Sequence, residues 1–271
     1  MTESASDSGA HAHKLCLVIP CYNEARRLDT AKFREFLETQ TQIYLLFVDD
    51  GSSDDTIGVL RRLCAGFEHS AHIVQSDRNR GKAEAVRRGI LYSLENLDPE
   101  IIGFWDADLA TPLASVSAFL EVLQERPAIE MIFGARVKLL GRHVERRAAR
   151  HYLGRVFATT VSAVLRMPIY DTQCGAKLFR VQSGMREIFA EPFLSRWVFD
   201  VEILARYQRL FQLQNRQLAD AIYEYPLESW IDVAGSKVGP ADFFVAFWDI
   251  LRIRNRYLSR DRPTARPSAI D

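Results

Sequence analysis

Cysteine pairs, a surplus of charge of either sign and long apolar runs are all missing from this chain. Its four cysteines (Cys16, Cys21, Cys64 and Cys174) form no CxxC pair and no zinc-like spacing. That argues against a disulfide or zinc scaffold and for buried thiols in a reducing compartment, the cytosol. Lys plus Arg (35) equals Asp plus Glu (35), so no global field favours nucleic acid, and any electrostatic function must come from local clusters. No run approaches the roughly 20 apolar residues of a spanning helix. Residues 1–14 are small and polar, with His11 and His13 read as solvated, and lack the apolar centre of a signal peptide. They read as a disordered tail, as do residues 259–271. The expected state is soluble or resting on a membrane surface. What is present is core material: 271 residues at 48% hydrophobic suffice for one extended domain or two close lobes.

Along the first half, short β-rich runs alternate with helical stretches, the pattern of a parallel sheet covered on both faces. "LCLVIP" (15–20), "IYLLFVDD" (43–50), "HIVQ" (72–75), "IIGFWD" (101–106) and "EMIFGA" (130–135) read as strands. The helices between them are expected at about 25–40, to Cys64, from Gly81 to Asn96, and from Pro112, a residue suited to the first helical position. The second half reads as helical and basic. Its clearest helix is 145–167, a strand is expected near "AIYEYP" (221–226), and a last helix runs from Pro240 to Leu258.

Ligands of open α/β sheets bind outside the carboxyl ends of the strands. Three such ends here carry acids: Glu24 after the first strand, Asp49 and Asp50 after the second, and Asp106 and Asp108 after the fourth. They are expected to converge on one crevice. Two carboxylates one residue apart can share a hard cation, Mg²⁺ or Mn²⁺, whose remaining positions go to substrate phosphates. Taken alone, the pair also fits a turn acid (Asp106) and a helix-capping acid (Asp108), and Asp49, Asp50 and Asp54 also fit turn and cap positions.

Several separated motifs together carry more. "VIPCYNEARRL", "FVDDGSSDDT", "NRGKAEAVRRGI" and "WDADLATP", in this order and spacing, resemble the family 2 glycosyltransferases of the GT-A fold. "GARV", "ERRAARHYLGR", "YDTQCGAKLF", "RWVFDVEIL" and "AGSKV" are similar to the dolichyl-phosphate β-glucosyltransferases and their bacterial relatives, although that group usually reads GFK where this chain has Gly175, Ala176 and Lys177. Its eukaryotic members also begin with a membrane helix, for which no counterpart is read here. The resemblance covers about residues 15–258. It implies one α/β GT-A domain with a mostly parallel central sheet, a nucleotide-sugar-binding half (15–135) and a helical acceptor-side half (136–258). It further implies that Pro20, Tyr22, Glu24 and Asp50 hold the nucleotide, that Asp106 and Asp108 hold the metal, and that Lys82 and Lys237 lie by the diphosphate. Lys82 also fits a solvated helix start, and Lys237 a plain turn.

The implied chemistry is inverting transfer of a hexose, glucose from UDP-glucose, to a polyprenyl phosphate. A phosphate monoester, with a second pKa of about 6, needs no general base at neutral pH; it needs cations. From Arg136 to Arg155 there are six Arg and one Lys against the single acid Glu145. Arg136, Arg146 and Arg150 are assigned to the acceptor phosphate, with a solvated basic face or a membrane-surface patch as the other reading. Asp171 matches the acid that relatives place beside the reacting centre, to orient the acceptor, support the metal or act as base. Of Asp200 and Glu202, at least one is expected to pair with an arginine such as Arg196. The last helix, with Phe243, Phe244, Phe247 and Trp248 followed by Arg252, Arg254 and Arg256, reads either as packed on the catalytic lobe or as interfacial to a membrane. Other functions that fit are a soluble glycosyltransferase acting on a hydroxyl and, more distantly, a nucleotidyltransferase or a non-catalytic nucleotide-sugar-binding protein.

Overall fold

The computed structural model describes residues 14–137, 143–144, 148–231 and 240–259, with backbone only at 143–144, 148–153, 155 and 240–244. Both expected tails otherwise lie outside these residues. Five strands, β1 (Leu15–Cys21), β2 (Ile43–Asp49), β3 (Ala71–Gln75), β4 (Ile101–Trp105) and β5 (Met131–Ala135), alternate with α1 (Thr30–Thr39), α2 (Thr56–Cys64), α3 (Lys82–Asn96) and α4 (Ser115–Glu125). These are the expected elements with trimmed ends. Pro112 does not open α4 but precedes it, its carbonyl accepting from the Ser115 N–H at 3.0 Å. Residues 25–27 form a turn before α1.

The second half adds β6 (His143–Val144), α5 (Ala148–Leu165), β7 (Ala176–Arg180), α6 (Met185–Ala190), α7 (Phe199–Leu213), β8 (Ile222–Pro226), β9 (Ser229–Trp230) and α8 (Pro240–Ile253), which ends in a π-turn at Arg254–Leu258. The main sheet has the order β3-β2-β1-β4-β7-β5-β8. Every strand in it is parallel except β7, which runs antiparallel between β4 and β5. β6 and β9 form a separate parallel pair.

Strand alternation divides the core into two layers. Leu15, Leu17, Ile19, Leu45, Phe47, Trp105 and Leu178 meet α1, α2 and α4 on one face. Cys16, Val18, Leu46, Val48, Phe104, Phe133 and Phe179 meet α3 and the helices of the second half on the other. With both faces covered, β2 is buried at all seven positions, which is why residues 43–48 form an unbroken apolar run before Asp49. All four cysteines are free and buried, and burial pushes the Cys16 thiol up to about 12.

β7 carries a charge into this core. Lys177, 1% exposed, stands at its second position above the rings of Phe104 and Phe133, at 5.2 and 5.7 Å. Its Nζ donates to the Asp200 carboxylate on α7 at 2.6 Å and to the Cys174 carbonyl. The neighbouring acid Glu202 accepts from Arg206 at 2.7 Å, from the Leu194 N–H and from the Tyr257 hydroxyl. One acid of this helix was expected to pair with an arginine such as Arg196. The arginine is Arg206, one turn along the same helix, and Arg196 instead donates to the Asn79 side chain at 2.7 Å.

Removing one partner of a buried ion pair leaves an uncompensated charge and costs about 3–5 kcal/mol, whereas replacing both by apolar groups is often near neutral. Asp200→Ala is therefore expected to lower stability in urea unfolding by about that amount, and Lys177→Met with Asp200→Leu to recover most of it. A loss below about 1 kcal/mol for the single variant, the value of an exposed pair, would contradict the pairing.

Candidate active site

β1 is the switch point of the sheet: the chain moves outward from it through β2 and β3, then returns to its other side as β4. The carboxyl ends of β1, β2 and β4 therefore lie side by side, and the acids placed at those ends by the sequence come together there. Glu24 and Asp108 interact across the crevice.

The loop after β1 is clamped to the loop after β2. Ser52 Oγ accepts from the Asn23 N–H, Asn23 Oδ1 accepts from the Ser53 N–H, and Thr56 Oγ1 accepts from the Glu24 N–H at 2.8 Å. Asp49 braces the same turn by accepting from Ser52, the turn role open to it in the sequence. Glu24 is paired with Arg27. Burial, reinforced by Asp108 and Asp54 against the Arg27 pair, holds its carboxyl above the usual range. Tyr22 stands exposed beside it and Pro20 is half-buried at the end of β1. Asp50 is placed differently from a surface contact. It is 2% exposed, and its carboxylate accepts from the N–H groups of Arg80 at 3.0 Å and Gly81 at 2.7 Å, against a carboxyl raised mainly by burial. It thus anchors the turn that opens α3. Gly81, at φ +96°, takes the backbone conformation that this turn requires and that side chains disfavour.

Lys82 is the first residue of α3, and its ammonium is salt-bridged to Asp106 Oδ1. Desolvation works against the charged amine, yet Asp106 and then Asp200 hold its pKa above the ordinary lysine value. Asp108 accepts from the Ala110 N–H at 3.1 Å, a turn contact, while α4 begins seven residues further on. Asp108 is thus no cap of that helix. Burial and the charge of Asp106 raise its carboxyl, against the Ala110 N–H, Lys82 and Arg27. Leu109 between them and α4 has φ +51°, an uncommon state for a branched residue. The backbone N–H of Asp106 donates to the Gly175 carbonyl at 3.0 Å. A Cβ built on Gly175 would lie 1.9 Å from Asp106 Oδ2 and 2.2 Å from Cγ, so the carboxylate rests against bare backbone.

The described residues contain no group of three or more His, Cys, Asp or Glu placed to hold a metal. The two acids nevertheless fit a hard cation that takes one or two carboxylates and completes its shell with phosphate and water oxygens. Two like charges with one already raised by the other are what such an ion would relieve.

Arg136 follows β5 at the same sheet edge. Its Nε and one terminal nitrogen donate to Asp171 at 2.6 and 2.8 Å, a two-point fork, and its backbone N–H donates to the same carboxylate at 3.1 Å. Desolvation opposes the guanidinium charge, but Asp171 holds it above the usual arginine value. The cation lies over the Trp230 ring at 5.2 Å. Asp171 is positioned in turn by Glu224 on β8, whose carboxylate accepts from the N–H groups of Tyr170 and Asp171 at 2.9 Å. Neither Glu224 nor Trp230 is marked by any sequence motif: both work through partners far along the chain. Arg146 and Lys237 lie outside the described residues. Arg150 falls in the first turn of α5, with its side chain outside them.

A family model, Glycosyl transferase family 2, matches residues 16–184. The chain is 31% identical over 258 residues to a dolichyl-phosphate β-glucosyltransferase of Dictyostelium discoideum, covering 90% of this chain and 75% of that protein. It is 32% identical to the Mus musculus enzyme of the same name, over 91% and 76%. Among solved structures, mannosyl-3-phosphoglycerate synthase from Rubrobacter xylanophilus superposes with a TM-score of 0.64 at 16% identity, over 90% of this chain and 74% of the other. Glucosyl-3-phosphoglycerate synthase from Mycobacterium tuberculosis, in complex with Mn²⁺, UDP and glucosyl-3-phosphoglycerate, gives 0.60 at 19%, over 91% and 82%. These two likenesses establish the fold.

The carboxylate of Asp106 must move by more than an ångström to admit a Cβ at position 175, and it can, because the atoms met are the end of a side chain. Gly175→Ala is thus expected to keep its thermal transition within a few degrees. The site should lose on the order of 100-fold in rate, the usual effect of a 1 Å misplacement. A variant with unchanged turnover would show that the position of Asp106 is not critical.

Proposed function

The chain belongs to glycosyl transferase family 2, and from that premise we propose that it is an inverting glucosyltransferase that moves glucose from UDP-glucose to a polyprenyl phosphate. The observation that carries the acceptor assignment is the state of the acids. An alcohol acceptor needs a general base free to take a proton within hydrogen-bond reach. Asp171 is held in a two-point fork by Arg136, and Asp200 is buried against Lys177. Neither is arranged as a base, and a phosphate nucleophile needs none.

On the donor side, Tyr22 offers apolar area to base or ribose, and Glu24 accepts from ribose hydroxyls or base N–H groups. Asp50 and Pro20 shape the same pocket, Asp50 through the turn it anchors. Mg²⁺ or Mn²⁺ held by Asp106 and Asp108 would offset the charge that develops on the leaving diphosphate. Lys82, at the start of α3 and already charged, adds a cation at the same place, and Lys237 is assigned to close over it. On the acceptor side Arg136, Arg146 and Arg150 bind the phosphate, with Asp171 fixing the orientation of the Arg136 guanidinium. An acceptor phosphate oxygen then forms a bond to the anomeric carbon while the bond to the UDP oxygen breaks on the opposite face. One displacement inverts the anomeric centre. The site of action assigned is the cytoplasmic face of a membrane, where the four free thiols stay reduced.

Asp108→Asn is expected to lower transfer on the order of 100-fold or more, as the loss of a preorganised electrostatic contact does, with the fold unchanged by circular dichroism. Activity that persists in EDTA would contradict the metal assignment. Transfer to a phosphate acceptor should also fall as pH drops below about 6, where the second proton returns to the monoester. The deciding assay compares radiolabelled glucose transfer to polyprenyl phosphate and to the matching polyprenol. Equal or greater labelling of the alcohol would overturn the phosphate mechanism.

A further inference from the structure

α8 buries one side and leaves the other uncovered. Ala246, Ile250 and Ile253 pack inward, while Val245, Phe247 and Trp248 are 49%, 50% and 67% exposed. Two adjacent aromatic residues at that exposure are not needed by the core they border. Just beyond them stand the exposed cations Arg252, Arg254 and Arg256. The one acid of the helix with a described side chain, Asp249, is buried and accepts from Arg252 at 3.2 Å. α5 packs against the π-turn at Arg254–Leu258 and extends the surface with exposed Val156 and Thr159. Its sequence from Ala148 to Leu165 has no acid at all. Apolar rings beside exposed arginines, of which only Arg252 has an acid partner among the described residues, suit the boundary between acyl chains and anionic headgroups. No helix among the described residues is long and apolar enough to cross a membrane, so this contact would be made from one side.

We propose that the outer face of α8, with the adjoining surface of α5, is a docking surface for an anionic lipid bilayer, in which Phe247 and Trp248 enter the interface and Arg252, Arg254 and Arg256 meet the headgroups. This rests on the proposed lipid acceptor and gives it a delivery route. Trp230 on β9, which lies under the Arg136 cation, precedes the start of α8 by ten residues in sequence, so the docked helix follows the acceptor side closely along the chain. A second copy of the chain could cover the rings as well, but it would bring the arginines of both copies together, whereas an anionic surface compensates them.

The test uses the full chain and vesicles of phosphatidylcholine alone or with phosphatidylglycerol. The expected results are at least tenfold tighter sedimentation with the anionic vesicles, weakening with salt, and a blue shift of tryptophan emission that Trp248→Phe diminishes. Phe247→Ser with Trp248→Ser, and separately Arg254→Gln with Arg256→Gln, should each weaken sedimentation tenfold or more. Both should leave the thermal transition and transfer to a short, water-soluble isoprenyl phosphate unchanged. A wild-type chain that transfers to the short acceptor but ignores both vesicle types would overturn the docking surface and leave the proposed function standing. Vesicle binding lost in the variants, from a chain inactive on every phosphate acceptor, would support the surface and overturn the function. Light scattering that shows a dimer, broken by the Phe247 and Trp248 changes and without vesicle binding, would assign the face to a second copy.

Discussion

The buried pair between Lys177 and Asp200 fixes the strand that the second half of the chain inserts into the sheet of the first, at the point where the site is built. β7 is the one reversed strand of the sheet, inserted between β4 and β5. A lysine in its middle would have to be withdrawn from water at a cost of several kcal/mol if it had no partner. Asp200 supplies that partner from the first turn of α7, and the Cys174 carbonyl with the faces of Phe104 and Phe133 completes the surroundings. The pair can be satisfied in one register only: a one-residue slip of β7 would turn Lys177 to the other face. The same register places Gly175, two residues back, against Asp106. The position of a candidate metal ligand just after β4 thus depends on an ion pair between β7 and α7.

The second layer of this arrangement is also electrostatic. Glu202, two residues after Asp200, binds Arg206, and Arg206 donates to the carbonyls of Ile188, Glu191 and Pro192. That closes the connection between α6 and α7 with hydrogen bonds from a buried guanidinium. The first half holds its loops by hydroxyl and backbone contacts, as between Asn23 and Ser52, and by single carboxylates such as Asp50, whereas the second half relies on buried pairs of opposite charge. The segments around β5 and β8 follow the same rule, with Glu224 holding the backbone of Asp171 and Asp171 holding Arg136.

This contrast explains what could be read from the sequence. β1, β2 and β4 are legible because strands buried on both faces are apolar throughout, and the acids at their ends are legible because a strand end faces the ligand edge whatever the rest does. β7 escapes notice because "AKLFR" is short and carries a lysine at its second position, a residue ordinarily read as solvent-exposed. Its burial is visible only with Asp200 in hand, 23 positions away. Glu224 is hidden for the same reason, since its work is to accept from the backbone of Tyr170 and Asp171, more than fifty residues upstream. Asp50 is the intermediate case. Its location at the site was legible, but its engagement by Arg80 and Gly81 depends on the loop before α3 folding over it.

The way the strand ends are held also bears on how far a sequence can diverge while keeping this fold. The solved structures that share it are under 20% identical to this chain, yet they superpose over nine-tenths of its length. Such divergence is tolerated when a site needs only a few side chains at strand ends and a backbone that brings those ends together. The ends of β1, β2 and β4 meet that condition, because their positions are set by hydrophobic alternation and survive many substitutions. The pair of Arg136 with Asp171 after β5 does not, because it fails if either partner changes alone. Change at that pair therefore requires linked substitutions, and under the function proposed above it is in the segments after β5 that this chain's preference among acceptors would be set.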